Sequence, residues 1–267
     1  MSYKYKHIIL VGIDGAGNFY KNTDTPNIHK MMAEGAGTDM CLTSFPTDSA
    51  QCWGSMLIGV YPEKHGMTNG TIDDTPYSHR DKYPTVYKMI RDAVPDAKIG
   101  SFSNWSPINS SIADAGIGIT KCTGHDDILT VKICEYIKAE KPEFLFVQFD
   151  SIDGAGHTYG YDTERYLQEL NVADGFVTSI RKAVADAGIE DDTLVIATAD
   201  HGGSGHGHGG PSDEEKYVFF AAVGKTVPKG KKITVRVIDM PAIVTHALGV
   251  TPDPGWDSKV PEGMFTE

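Results

Sequence analysis

Cysteine is scarce: only four occur among 267 residues. Cys41, Cys52, Cys122 and Cys134 show no Cys-x-x-Cys spacing, so neither a thiolate zinc site nor a disulfide framework is indicated. Positive charge is short too, with 24 Lys and Arg against 36 Asp and Glu and a formal net charge of −12 at pH 7. That balance argues against an electrostatic nucleic-acid groove. No apolar run approaches the ~20 residues that cross a bilayer. The basic start Met1-Ser-Tyr-Lys-Tyr-Lys-His7 runs into a short apolar stretch that ends at Gly12 and Asp14, the mark of a first strand and not of a signal peptide. No internal repeat or domain boundary is visible. The expectation is a single α/β domain over residues 1–267, cytoplasmic and reduced, without membrane association.

What the chain does have is a series of apolar runs that each end in a polar cluster. His7 to Ile13 reads as a buried strand with Asp14 at its carboxyl end. The glycines from Gly12 to Gly17 have the wrong spacing for a dinucleotide loop, and Asp14 inside the turn would repel a pyrophosphate. Phe144 to Phe149 is a second such run, followed by Asp150 and then by Asp153 and His157, four residues apart. One helical turn or a compact loop would bring those two to one ion. Asp150, closer to the strand, is suited to orienting a ligand.

The third run, Thr193 to Ala199, leads into Asp200-His-Gly-Gly-Ser-Gly-His-Gly-His208, with His206 between the outer histidines. Asp and His supply the oxygen and nitrogen ligands that Zn²⁺ takes, and glycine lets the backbone bend close to an ion. A flexible His/Gly surface loop is the alternative, but an Asp-His pair at a strand end argues against it. In open α/β sheets the carboxyl edge of the strands is where ligands bind. Three such edges carrying Asp, two of them with His, point to a shared metal site.

Ser49 to Ile58 has helical composition, so Ser49 falls near a helix N-terminus, where N–H groups favour an anion. Its ordinary role there would be an N-cap, with Thr47 and Asp48 as rivals. Helices are also expected from Pro26, over Asp126–Glu140, Thr163–Ala187 and Pro241–Leu248. Lys98–Phe102 reads as a strand, and Tyr217–Val223 and Ile233–Ile238 are further apolar, β-branched or aromatic runs. Residues 67–82, with His79 and Arg80, read as a small polar loop insertion near the site mouth.

These residues resemble the alkaline phosphatase superfamily, and within it the type I phosphodiesterase/nucleotide pyrophosphatase branch. The matching pieces are Ile13-Asp-Gly15, Pro46-Thr-Asp-Ser49 with Gly59-Val-Tyr-Pro-Glu-Lys-His-Gly66, Asp153 with Gly156-His157, and Asp200-His-Gly202 with His208-Gly-Gly210. The resemblance implies a three-layer α/β sandwich around a mostly parallel sheet, and a phosphoric ester hydrolase. It implies two divalent ions, zinc or alternatively manganese. Asp14, Ser49, Asp200 and His201 would hold one, and Asp153, His157 and His208 the other, with Ser49 as nucleophile and a phosphoserine intermediate. Three carboxylates against two dications leave a site suited to a phosphoryl anion. The implied substrate is a small phosphorylated compound, possible nucleotides included, and phosphodiesters above all. A phosphomonoesterase or phosphomutase of the same superfamily, or a non-catalytic metal- or phosphate-binding protein, is the alternative.

Two departures qualify the substrate class. The resemblance leads one to expect an Asn three positions after the nucleophile, to hold a phosphoryl oxygen. Cys52 stands there, which leaves Gln51 or backbone N–H groups as substitutes. No Arg follows Ser49 closely, as the alkaline monoesterases would have it, and the Pro and Arg of a sulfatase frame are missing.

Overall fold

The computed structural model describes residues 4–73 and 75–266. Its strands are β1 (His7–Ile13), β2 (Ala36–Leu42), β3 (Ile99–Ser103), β4 (Thr120–Thr123), β5 (Phe144–Phe149), β6 (Thr193–Thr198), β7 (Tyr217–Val223) and β8 (Lys231–Lys232). Its α-helices are α1 (Pro26–Glu34), α2 (Ser49–Ile58), α3 (Pro62–His65), α4 (Val86–Ala93), α5 (Asp126–Glu140), α6 (Ser151–Tyr159), α7 (Glu164–Asp186), α8 (Asp213–Lys216) and α9 (Met240–Leu248). The strands form one eight-stranded sheet in the order β4-β3-β5-β1-β6-β7-β2-β8. β4, β3, β5, β1 and β6 run parallel, and β7 is antiparallel to both β6 and β2. Helices α1, α5 and α7 cover one face, while α2, α4 and α9 pack together on the other. This is the three-layer α/β sandwich that the resemblance implies.

Burial explains why the central strands read so clearly. β5 and β6 are buried throughout, as is β1 after His7, because helices cover both faces. Side chains also meet donors between helices. The buried Asp174 of α7 accepts from Asn27 N at 3.1 Å and Ile28 N at 2.8 Å, serving the first turn of α1.

The margins differ from expectation. β2 has a mixed sequence, and its pairing with β7 shifts register between Thr38 and Cys41. β4 is mostly exposed. The apolar run Ile233–Ile238 is not a strand. Arg236 N donates to Asp239 Oδ2 at 3.0 Å and Asp239 N donates to Arg236 O at 2.9 Å, which closes a 3₁₀ turn over Val237–Asp239 and leads into α9.

Candidate metal centre

β5, β1 and β6 lie side by side and parallel, so their carboxyl ends share one edge of the sheet. Asp14 follows β1, Asp200 and His201 follow β6, and α6 carries Asp153 and His157 on one face. His157 Nε2 lies 3.2 Å from Asp153 Oδ2. His208 returns on the loop beyond β6, with Nε2 3.8 Å from Asp153 Oδ1. Its ring stacks on His201 with centroids 3.9 Å apart. Ser49 is the first residue of α2, and its Oγ lies 3.1 Å from His201 Nε2. Asp48 takes the N-cap position without a side-chain cap bond. The structure thus brings all seven sequence-predicted residues to one place. Among the described residues, two groups have ligand atoms within 4.8 Å of one another, Asp153–His157–His208 and Asp14–Asp153–His201, so Asp153 belongs to both.

The hydrogen bonds fix which ring nitrogens face the centre. His201 Nδ1 lies 2.8 Å from Gly202 O, His208 Nδ1 2.9 Å from Thr47 O, and His157 Nδ1 2.9 Å from His206 O. A carbonyl only accepts, so each Nδ1 carries the proton and each Nε2 presents a lone pair. Around His201 Nε2 stand Asp14 Oδ1 at 3.4 Å and Asp200 Oδ2 at 3.3 Å. Both oxygens are buried without a hydrogen-bond partner. Burial, and then neighbouring carboxylates, push the Asp14 and Asp200 carboxyls well above the usual range, while burial pushes His201 down. Carboxyls that burial disposes to keep a proton are ones whose ionised form a divalent cation would stabilise, and with the unpartnered oxygens and the Nε2 lone pair converging here, this donor set fits one.

Sequence reasoning missed the groups that hold these ligands. Asp14 Oδ2 accepts from Trp53 Nε1 and from Gln148 Nε2, each at 2.9 Å, which leaves Oδ1 as the free ligand atom. Gly12 admits the indole, since a Cβ there would come within 2.3 Å of Trp53. Gln148 also donates to Asp150 Oδ1 at 2.9 Å, so Gln148 is the group that bridges Asp150 to Asp14. A polar residue inside the apolar β5 was the one readable signal. Tyr161 OH donates to Asp153 Oδ1. His206 is braced on the outside, with Nδ1 3.2 Å from His157 O.

Two expectations about the phosphoryl end change. Gln51 turns Nε2 to Asp48 Oδ2 at 3.2 Å, and buried Cys52 points Sγ at Ser44 O and Pro46 O. The amide at the head of α2 is instead Asn69, from the 67–82 loop, whose Oδ1 accepts from Ala50 N at 2.8 Å. Arg80 is held by Ser111 O, Ile112 O and Asp114, away from this task. Of the aromatics near the motifs, Trp53 and Tyr161 are buried and Tyr159 is exposed.

A mostly parallel α/β sandwich with an Asp/His centre at its carboxyl edge defines an alkaline phosphatase-like protein. The chain belongs to the type I phosphodiesterase/nucleotide pyrophosphatase family, whose sequence model matches residues 8–208. It is 22% identical over 219 residues to mouse ectonucleotide pyrophosphatase/phosphodiesterase family member 7, covering 73% of this chain and 49% of that protein. It is 22% identical over 213 residues to human bis(5'-adenosyl)-triphosphatase, covering 73% of this chain and 47% of that one. The chain thus spans about half the length of the curated relatives it matches. Murine ectonucleotide pyrophosphatase/phosphodiesterase 5 superposes with a TM-score of 0.77 at 14% identity, over 93% of this chain and 96% of that one. An inactive variant of that protein, solved in complex with AMP, gives the same TM-score of 0.77 at 14% identity, over 95% of this chain and 96% of that one.

Proposed function

We propose that this chain is a metal-dependent phosphoric ester hydrolase that favours phosphodiesters and works through a phosphoserine at Ser49. The observation that carries the reading is Ser49 Oγ lying 3.1 Å from His201 Nε2, among carboxylates with unpartnered oxygens. Asp14, Ser49, Asp200 and His201 would hold one divalent ion and Asp153, His157 and His208 a second, zinc or alternatively manganese. Such a pair would neutralise the carboxylates, favour the Ser49 alkoxide and stabilise the leaving oxygen.

The chain's own residues do the rest. Ser49 Oγ forms a bond to phosphorus as the bond to the leaving alcohol breaks, and the alcohol departs with a proton. Water then attacks from the opposite side, and Ser49 recovers its hydroxyl. The N-terminal end of α2 presents its positive dipole end to the phosphoryl group. Asn69 spends Oδ1 on Ala50 N, which leaves its Nδ2 free to donate to a non-bridging oxygen.

A monoester dianion calls for an extra cation. The cations near the motifs are committed, Lys64 to Asp257, Arg80 to Asp114 and Lys216 to Asp213. A singly charged diester has no such need. A nucleotide-type substrate is consistent with the AMP-bound relative and with exposed Tyr159, 54% accessible. The test is kcat/KM of metal-loaded protein on bis-p-nitrophenyl phosphate and on p-nitrophenyl phosphate. The diester should be preferred, and a monoester preferred ~100-fold, about 2.7 kcal/mol in the transition state, would overturn the reading.

A further inference from the structure

Tyr161 touches every member of one ligand group. Its hydroxyl donates to Asp153 Oδ1, and its ring stands edge-on to His157 at 6.1 Å and to His208 at 6.5 Å between centroids. Its N–H donates to Gly205 O at 2.8 Å, inside the loop between His201 and His208. The residue is only 6% exposed. Two glycines make room for it. A Cβ on Gly156 would come within 2.6 Å of the ring, and one on Gly203 within 2.4 Å. Neither glycine has positive φ, so the ring and not the backbone accounts for both. Gly156 lies in α6 and Gly203 in the loop beyond β6, so the ring is wedged between the two segments that deliver the ligands. Behind it, Tyr166 packs with centroids 5.4 Å away and donates to Gly15 O at 2.8 Å, which ties the wedge to the Asp14 turn.

A carboxylate without a fixed partner is free to rotate and offer either oxygen. Here one oxygen is taken by a phenol, while Oδ2 faces His157 Nε2 at 3.2 Å. We propose that Tyr161 is a positioning residue for the Asp153–His157–His208 group: its O–H sets the Asp153 carboxylate plane and its ring sets the spacing between α6 and the His208 loop. A divalent cation then meets three ligands already in place, and groups that orient ligands in this way typically contribute 10–100-fold in metal affinity. The inference rests on the metal-centre reading above.

Tyr161→Phe tests it, because it keeps the ring in its notch and removes only the O–H. Zinc affinity is measured by competition with a chromophoric chelator, alongside the Co²⁺ absorption spectrum and the thermal midpoint of metal-free protein. The expected result is zinc bound about 10-fold or more weakly at one site, altered Co²⁺ bands, and a metal-free midpoint within a few degrees of wild type. Wild-type affinity and spectrum in the variant would overturn the inference alone. A metal-free midpoint lower by ~10 °C or more would also overturn it, by making the hydroxyl a prop of the fold. Wild-type protein that binds no zinc would bring down the metal reading and this inference with it.

Discussion

Thr47 holds His208 in place. Its carbonyl lies 2.9 Å from His208 Nδ1, and its hydroxyl accepts from Gly209 N at 3.0 Å and donates to Gly210 O at 2.8 Å. Ser49, two residues on, points its hydroxyl at His201 Nε2. The two hydroxyls therefore have separate tasks. Ser49→Ala should lower kcat by on the order of 10³-fold or more while metal content stays near wild type. Thr47→Ala should keep measurable turnover and lose about 1 kcal/mol of stability, since it removes the partner of the half-buried Gly210 carbonyl and Gly209 N–H. A dead Thr47→Ala beside an active Ser49→Ala would place the nucleophile two residues earlier.

Asn69 reaches back to the head of α2 from the loop that follows α3, and its amide has a donor to spare. Asn69→Ala should cost about 10²-fold in kcat by removing a phosphoryl-oxygen donor, and about 1 kcal/mol of stability by uncapping Ala50 N. A variant with the stability loss and unchanged kcat would leave Asn69 as a cap only.

His65 supplies a pH signature remote from the ligands. Its Nδ1 accepts from Met67 N at 3.1 Å, so Nε2 carries the proton and donates to Gln51 O at 3.2 Å. Burial pushes its pKa down to about 4. An unfolded histidine takes up its proton near 6.5, so between about 6.5 and 4 the unfolded state binds more protons and stability falls as pH falls. The loss is complete below the folded value and amounts to about 3 kcal/mol. Urea unfolding of metal-free wild type and His65→Gln at pH 7 and pH 4 checks this. The advantage of wild type should shrink by about that amount, and a constant difference across the window would refute it.

Most of the candidate ligands were legible in sequence because they follow a strand directly or sit on the helix or loop just beyond it, while Ser49 heads a helix and His208 lies ten residues past β6. Asp14, Asp153, His157, Asp200 and His201 fall at ends of β1, β5 and β6, which burial on both faces marks as unbroken apolar runs. Their holders were not legible, because Trp53, Tyr161 and Asn69 meet the ligands or α2 only through tertiary approach. Gly12, Gly156 and Gly203 record that approach as missing side chains, which in sequence look like ordinary turn or strand glycines. β2 and β4 escaped notice because neither is a continuous apolar run. The apolar residues of Ile233–Ile238 are buried, but the run ends in a turn that Arg236 and Asp239 close, and periodicity alone does not reveal a turn.

The central claim is that hydrolysis at Ser49 depends on ions held by this Asp/His set. The direct measurement is turnover of bis-p-nitrophenyl phosphate by protein stripped with a chelator, before and after measured additions of Zn²⁺ or Mn²⁺. The expected result is activity lowered by at least ~10³-fold on stripping and restored as about two equivalents of zinc per chain are taken up. Full turnover by protein verified to contain no metal would contradict the account.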